Sequence, residues 1–196
     1  QPQSYYDQLD STELKGYFFA GIESRDDYYF RGMYLRLLRA IEFLTSQPEW
    51  DGQRILVMGE SQGGGQALAA AALDSRVTAV VATVPALCGW DAALEGCIGG
   101  WPNPLGYTAD KDKMRKALPY FDVANLLHNT HAKLVVEIGF IDITCPPPSI
   151  FEAINQAKGP KVVYGVPYRG HHVDQKEYQK LWEESVYQPK MQFIED

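Results

Sequence analysis

Residues Gly59-Glu60-Ser61-Gln62-Gly63 put a serine hydroxyl between two glycines, the G-x-S-x-G spacing in which serine serves as a nucleophile. The spacing has a steric reason. A nucleophile on a sharp strand-to-helix turn leaves no room for bulky neighbours two positions before and two after it, so Gly59 and Gly63 let strand and helix approach. Gly64 and Gly65 extend that clearance. The turn lifts the Ser61 hydroxyl above the sheet. The backbone N–H of Gln62, at the start of the following helix, then points where an oxyanion would form.

A serine hydroxyl needs a base, and the base needs a group that orients it. Both types occur downstream, in the order nucleophile, acid, histidine. Asp142 closes a predicted strand at its carboxyl end, the edge where open α/β sheets bind ligands. Its neighbours Thr144-Cys145-Pro146-Pro147-Pro148 form a stiff loop suited to fixing the carboxylate. His171 and His172 follow the next predicted strand in Tyr168-Arg169-Gly170-His171-His172, and spacing does not choose between them. His128 and His131 sit in a connector without a carboxylate cluster and read as surface residues, so no metal and no organic cofactor is expected.

The elements that position these groups alternate. A helix is predicted over 28–45, with Asp26 or Asp27 as its N-cap and apolar residues Tyr34, Leu37, Leu38, Ile41 and Leu44 on one face. A strand over 54–58, buried on both faces, leads to the serine, and a Gly/Ala-rich helix over 62–73 follows. Further strands are predicted over 77–84, 133–140 and 161–166, with helices over 149–158, stopped by Gly159-Pro160, and over 174–186. Residues 85–120 read as an irregular excursion above the sheet, containing a short helix near 111–118. Four strand–helix alternations predict an α/β fold, a mostly parallel sheet with helices on both faces.

Composition bounds the function. The chain has 196 residues, 45% of them hydrophobic, which is one domain's worth of ordinary globular sequence over 1–196. A net charge of −7 without a basic run argues against nucleic acid and anionic membrane surfaces as partners. No apolar stretch approaches the length of a spanning helix. The first ten residues lack signal-peptide character, as a processed chain would too, so the compartment stays open. Cys88, Cys97 and Cys145 permit at most one internal disulfide, Cys88 with Cys97 being the nearest pair, and read as buried thiols.

Several segments together carry a resemblance: Arg31-Gly32 with Tyr34, the run from Gly59 to Gly65, Tyr120-Phe121-Asp122-Val123-Ala124-Asn125, Asp142-Ile143-Thr144-Cys145-Pro146-Pro147, and Gly170-His171. The chain resembles the acetyl xylan esterase / cephalosporin C deacetylase family, carbohydrate esterase family 7, of the α/β-hydrolase superfamily, from about residue 16 to the last helix. The resemblance implies Ser61 as nucleophile, Asp142 as triad acid and His171, directly after Gly170, as base. The family has Glu after that histidine, where this chain has His172. The resemblance also implies that the chain is the C-terminal portion of the fold, with early strands and a second oxyanion donor upstream. It implies acetylated xylo-oligosaccharides or cephalosporin C-type acetyl esters as substrates, and a hexameric homo-oligomer.

Trp90, Trp101 and Tyr107 in the excursion are candidates to wall an acyl pocket or stack on a sugar, with packing of the excursion onto its own sheet as the plainer use. The expected function is therefore a serine esterase removing acetyl groups through an acyl-serine intermediate. Two alternatives stand beside it: a serine hydrolase of another class, peptidase-like or dienelactone-hydrolase-like, and a non-catalytic chain keeping the elbow as a relic. Four strands cut from a larger sheet would also leave an apolar, unpaired edge.

Overall fold

A computed structural model describes residues 1–104, 107, 110–173 and 176–195. Helix α1 is Gln3–Ser11 and α2 is Tyr29–Thr45, followed by β1 Leu56–Glu60, α3 Gln62–Leu73 and β2 Ala79–Thr83. Among the described residues the excursion carries two short helices, α4 Trp90–Leu94 and α5 Lys111–Ala117, and α6 Val123–Leu126 follows it. Then come β3 Lys133–Gly139, α7 Pro147–Ile154, β4 Lys161–Val166, α8 Lys176–Trp182 and α9 Gln188–Glu195. The strands form one parallel sheet in the order β1-β2-β3-β4. Parallel pairing puts all four carboxyl ends on one edge, and Ser61, Asp142 and His171 all lie just past such an end.

Side-chain alternation divides the sheet into two faces. Val80, Ala82, Leu134, Val136 and Ile138 join the main core with α3, whose Ala67, Leu68, Ala69, Ala70 and Ala71 are buried. Small residues let α3 lie close to β1 and β2. On the opposite face Met58, Val81 and Thr83 line a cavity closed by Trp182, Tyr187, Lys190 and Met191 from the C-terminal segment. Among the described residues no helix is long and apolar enough to cross a membrane.

Several expectations change. β1 is not buried on both faces: it is an edge strand among the described residues, and Met58 is 54% exposed. Neither Asp26 nor Asp27 caps α2. Tyr28 occupies that position, its ring buried and its hydroxyl donating to the Phe18 carbonyl, while the Asp27 carboxylate takes the Ser24 hydroxyl. Helix α7 starts earlier, at Pro147, whose fixed φ suits a first helical position, and it ends at Ile154, ahead of Gly159. The last predicted helix begins at Asp174, which with Gln175, and with Gly106 of the excursion, lies outside the described residues. Its described part runs on to Glu195 through a π turn, Glu183–Tyr187, ahead of Pro189, which has no N–H to give to the carbonyl one turn back. All three cysteines are free thiols; Cys88 and Cys145 are buried as expected, whereas Cys97, read as buried, is exposed.

One buried carboxylate organises the excursion. Asp122 accepts from the N–H groups of Gly89 (2.9 Å), Trp90 (2.5 Å) and Asp91 (3.3 Å) at the start of α4 and from Ala124 (2.9 Å) in α6. Burial pushes its carboxyl from 3.8 up to about 6, against the opposite pull of these donors. The raised folded-state value favours the protonated form on folding. Its contribution is fully present below pH 3.8 and is lost as pH rises through about 6. Urea denaturation is therefore expected to show wild type gaining about 1 kcal/mol more than Asp122→Asn between pH 7 and pH 5. Equal gains in the two proteins would contradict this role.

Candidate active site

Ser61 sits between β1 and α3 with φ 53° and ψ −120°, a conformation that costs a non-glycine residue about 1–3 kcal/mol. Hydrogen bonds hold it there. Its N–H donates to the Thr83 carbonyl (2.9 Å), and its carbonyl accepts from Gly65 (3.0 Å) and Ala86 (2.9 Å). A Cβ on Gly59 would lie 2.3 Å from the Gly63 carbonyl group, and one on Gly65 would lie 2.3 Å from the Ala86 oxygen. These two glycines are sterically required. Gly63 is not, because a Cβ there meets nothing within 4 Å; its backbone is what Gly59 approaches. The segment after β2 is also bent, with Val84 at φ 38° and Leu87 at φ 65°.

The three loops bring their side chains into one chain of hydrogen bonds. His171 Nε2 lies 2.9 Å from Ser61 Oγ, and His171 Nδ1 lies 2.9 Å from Asp142 Oδ2. The other oxygen, Asp142 Oδ1, accepts from the N–H groups of Thr144 (2.8 Å) and Cys145 (2.9 Å). This pattern assigns Nδ1–H to Asp142 and leaves Nε2 to accept the Ser61 proton. His172 is exposed, its ring 5.0 Å from that of His171 and outside the chain of bonds. His128 and His131 are exposed.

Gln62 opens α3, so its N–H has no carbonyl one turn back within the helix. Its side chain is held by Tyr17, whose hydroxyl donates to Oε1 at 2.6 Å. Sequence reading misses Tyr17, because no local signal links it to a residue 45 positions away. Among the excursion aromatics, Trp90 must be withdrawn as a substrate contact. It is 0% exposed and packed against Tyr28 and Phe30. Trp101 is half-buried against Phe18, and its backbone N–H donates to the Thr144 carbonyl in the Asp142 loop. Tyr107 stacks on Phe19 with centroids 4.5 Å apart.

Asp142, Cys145 and His171 offer ligand atoms within 4.8 Å of one another, the grouping of metal-binding type found among the described residues. Two of them are already committed to each other. Burial, and next the Asp142 charge, push the Cys145 thiol up to about 12, so it is protonated at neutral pH.

Sequence reading also misses a charged row, buried except at Glu60. Strand register sets Glu60 opposite Thr83 and Thr83 opposite Glu137. Glu137 is fully buried and takes hydrogen bonds from Arg169, Lys190 and Trp182. The available signal is a lone acid in the apolar strand Leu134-Val135-Val136-Glu137-Ile138, which burial obliges to find cationic partners.

A family model described as Acetyl xylan esterase (AXE1) matches residues 2–188. Acetyl esterase Axe7A of Xylanibacter ruminicola is 37% identical over 158 residues, covering 80% of this chain and 36% of that protein. The acetyl xylan esterase from Paenibacillus sp. R4 superposes with a TM-score of 0.75 at 34% identity, over 92% of this chain and 57% of that one. Acetyl xylan esterase 1 from Thermoanaerobacterium sp. gives 0.72 at 27% identity, over 87% and 57%. The chain thus spans between about a third and three fifths of the length of these relatives.

The glycine geometry separates two substitutions that look alike in sequence. Gly59→Ala is expected to displace the elbow and destabilise the protein by about 2 kcal/mol or more, as overpacking does. Gly63→Ala is expected to leave stability unchanged or to raise it by up to about 1 kcal/mol through helix propensity. Equal losses for both in urea denaturation would contradict the close approach of strand and helix at Gly59.

Proposed function

The chain belongs to the acetyl xylan esterase family, and from that premise we propose that it carries the catalytic half of a serine esterase that removes acetyl groups from acetylated xylo-oligosaccharides or similar small acetyl esters. The observation that carries this reading is the unbroken run of hydrogen bonds from Ser61 through His171 to Asp142.

In the proposed reaction His171 Nε2 takes the Ser61 proton as Oγ attacks the ester carbonyl and the C–Oγ bond forms. Asp142 holds the imidazole and stabilises its charged form. The negative charge on the carbonyl oxygen meets the Gln62 N–H and the positive end of α3. Collapse breaks the bond to the sugar oxygen, which leaves with the proton from His171, and the acetyl group stays on Ser61. Water, deprotonated by the same histidine, then attacks the acetyl-serine, releasing acetate and restoring the hydroxyl. Every proton taken is returned.

Trp101 belongs to the substrate side of this proposal, because its backbone is tied to the Asp142 loop. Tyr107 is the outer candidate, 38% exposed and available to a sugar face.

Initial rates with p-nitrophenyl acetate and p-nitrophenyl octanoate test the reading. Ser61→Ala is expected to lower kcat by about 10³-fold or more. Turnover is expected on acetate and not on octanoate. Full activity in Ser61→Ala would remove the serine from the mechanism. Serine-dependent cleavage of a blocked aminoacyl anilide without action on acetyl esters would instead make the chain a peptidase.

A further inference from the structure

The charged row is hydrogen-bonded to the loops of the proposed triad, and one member, Arg169, touches each of them. Arg169 is 3% exposed. Its Nη1 donates to Glu137, and its Nη2 donates to Glu60 (2.9 Å) and to the carbonyl of His171 (3.3 Å). Glu60 is the residue before Ser61. The Arg169 main chain completes the set: its carbonyl accepts from Ile141 (3.1 Å), the residue before Asp142, and its N–H donates to Val166 at the end of β4 (3.2 Å). Gly139 permits this approach, since a Cβ there would lie 2.6 Å from the Arg169 oxygen.

We infer that Arg169 is a positioning residue for the reaction: its planar guanidinium clamps the nucleophile elbow to the histidine loop and so sets the distance between Ser61 Oγ and His171 Nε2. This rests on the esterase reading of Ser61, His171 and Asp142. The clamp suits arginine, because a rigid fork reaches three acceptors in fixed directions, which a lysine ammonium on a flexible stem does not hold together.

The alternative is that Arg169 only balances the buried Glu137 charge. The structure separates the two roles, because Glu137 has a second cation. Lys190 on α9 donates to Glu137 and to Thr83 (3.0 Å), and among the described residues it makes no hydrogen bond to Glu60 or the His171 loop. Both cations compensate the same carboxylate, and Arg169 alone of the two spans the triad loops.

The test compares Arg169→Met, Arg169→Lys, Lys190→Met and Glu60→Gln for thermal unfolding, for kcat and KM on p-nitrophenyl acetate, and for the far-downfield proton signal of the His171–Asp142 hydrogen bond. Glu60 is largely exposed, so Glu60→Gln weakens the clamp without opening the core. Arg169→Met is expected to lower kcat about 10- to 100-fold with KM within about threefold, and to shift or broaden the downfield signal. Arg169→Lys is expected to recover part of that loss. Glu60→Gln is expected to lower kcat about threefold at unchanged melting temperature. Lys190→Met is expected to lose stability while keeping kcat and the downfield signal. Wild-type kcat and an unchanged signal in Arg169→Met would overturn the inference, as would parallel losses in Arg169→Met and Lys190→Met or no effect in Glu60→Gln. The esterase reading fails separately, through wild-type protein with no Ser61-dependent turnover, and the downfield signal still reports on the clamp in that event.

Discussion

Ser61 is held in a backbone conformation that serine avoids, and most of the surrounding architecture exists to keep it there. The strained turn persists because β1, β2 and α3 over-determine it: Thr83 and Ala86 take both main-chain polar groups of Ser61, and the missing side chains of Gly59 and Gly65 admit neighbouring carbonyls closer than any Cβ would allow. A relaxed turn would drop the hydroxyl toward the sheet and out of reach of His171. The cost is of order 1–3 kcal/mol, small beside the burial of the apolar α3 and the strand interior that enforce it.

The other two proposed triad members are fixed by cheaper means. Asp142 needs no strain, because two N–H groups of its own loop donate to one carboxylate oxygen and leave the second for His171. His171 borrows rigidity from Arg169, which ties its carbonyl to the exposed Glu60 and the buried Glu137. Buried ion pairs are weak contributors to net stability, since desolvation offsets much of their attraction. Their directional hydrogen bonds make them better suited to holding a loop in register. The charged row also fastens α9 to the sheet through Lys190, so the C-terminal segment and the histidine loop share one anchor.

Much of this is legible in the sequence where one local rule suffices. The helix from Gln62 to Leu73 and the strand from Lys133 follow from composition and turn residues alone, and the G-x-S-x-G run identifies the elbow. Trp90 is not legible in this way, because an exposed and a buried tryptophan look identical in an irregular stretch; the burial comes from Tyr28 and Phe30, some sixty residues earlier. The cap of α2 departs from the local rule because burial of Tyr28 outweighs the capping propensity of Asp27. The Arg169 network joins residues from β1, β2, β3, the histidine loop and α9, and no local pattern encodes such a meeting.

In the proposed reaction Ser61 carries the acyl group between the two half-reactions. Rapid acid quenching of the protein during turnover of p-nitrophenyl acetate, followed by peptide mass spectrometry, reads this directly. One acetyl group is expected on the peptide containing Ser61, localised to that serine and absent from Ser61→Ala. Acetate release with no acetyl-serine trapped, or an acetyl group found on Cys145 or on a lysine in its place, would contradict it.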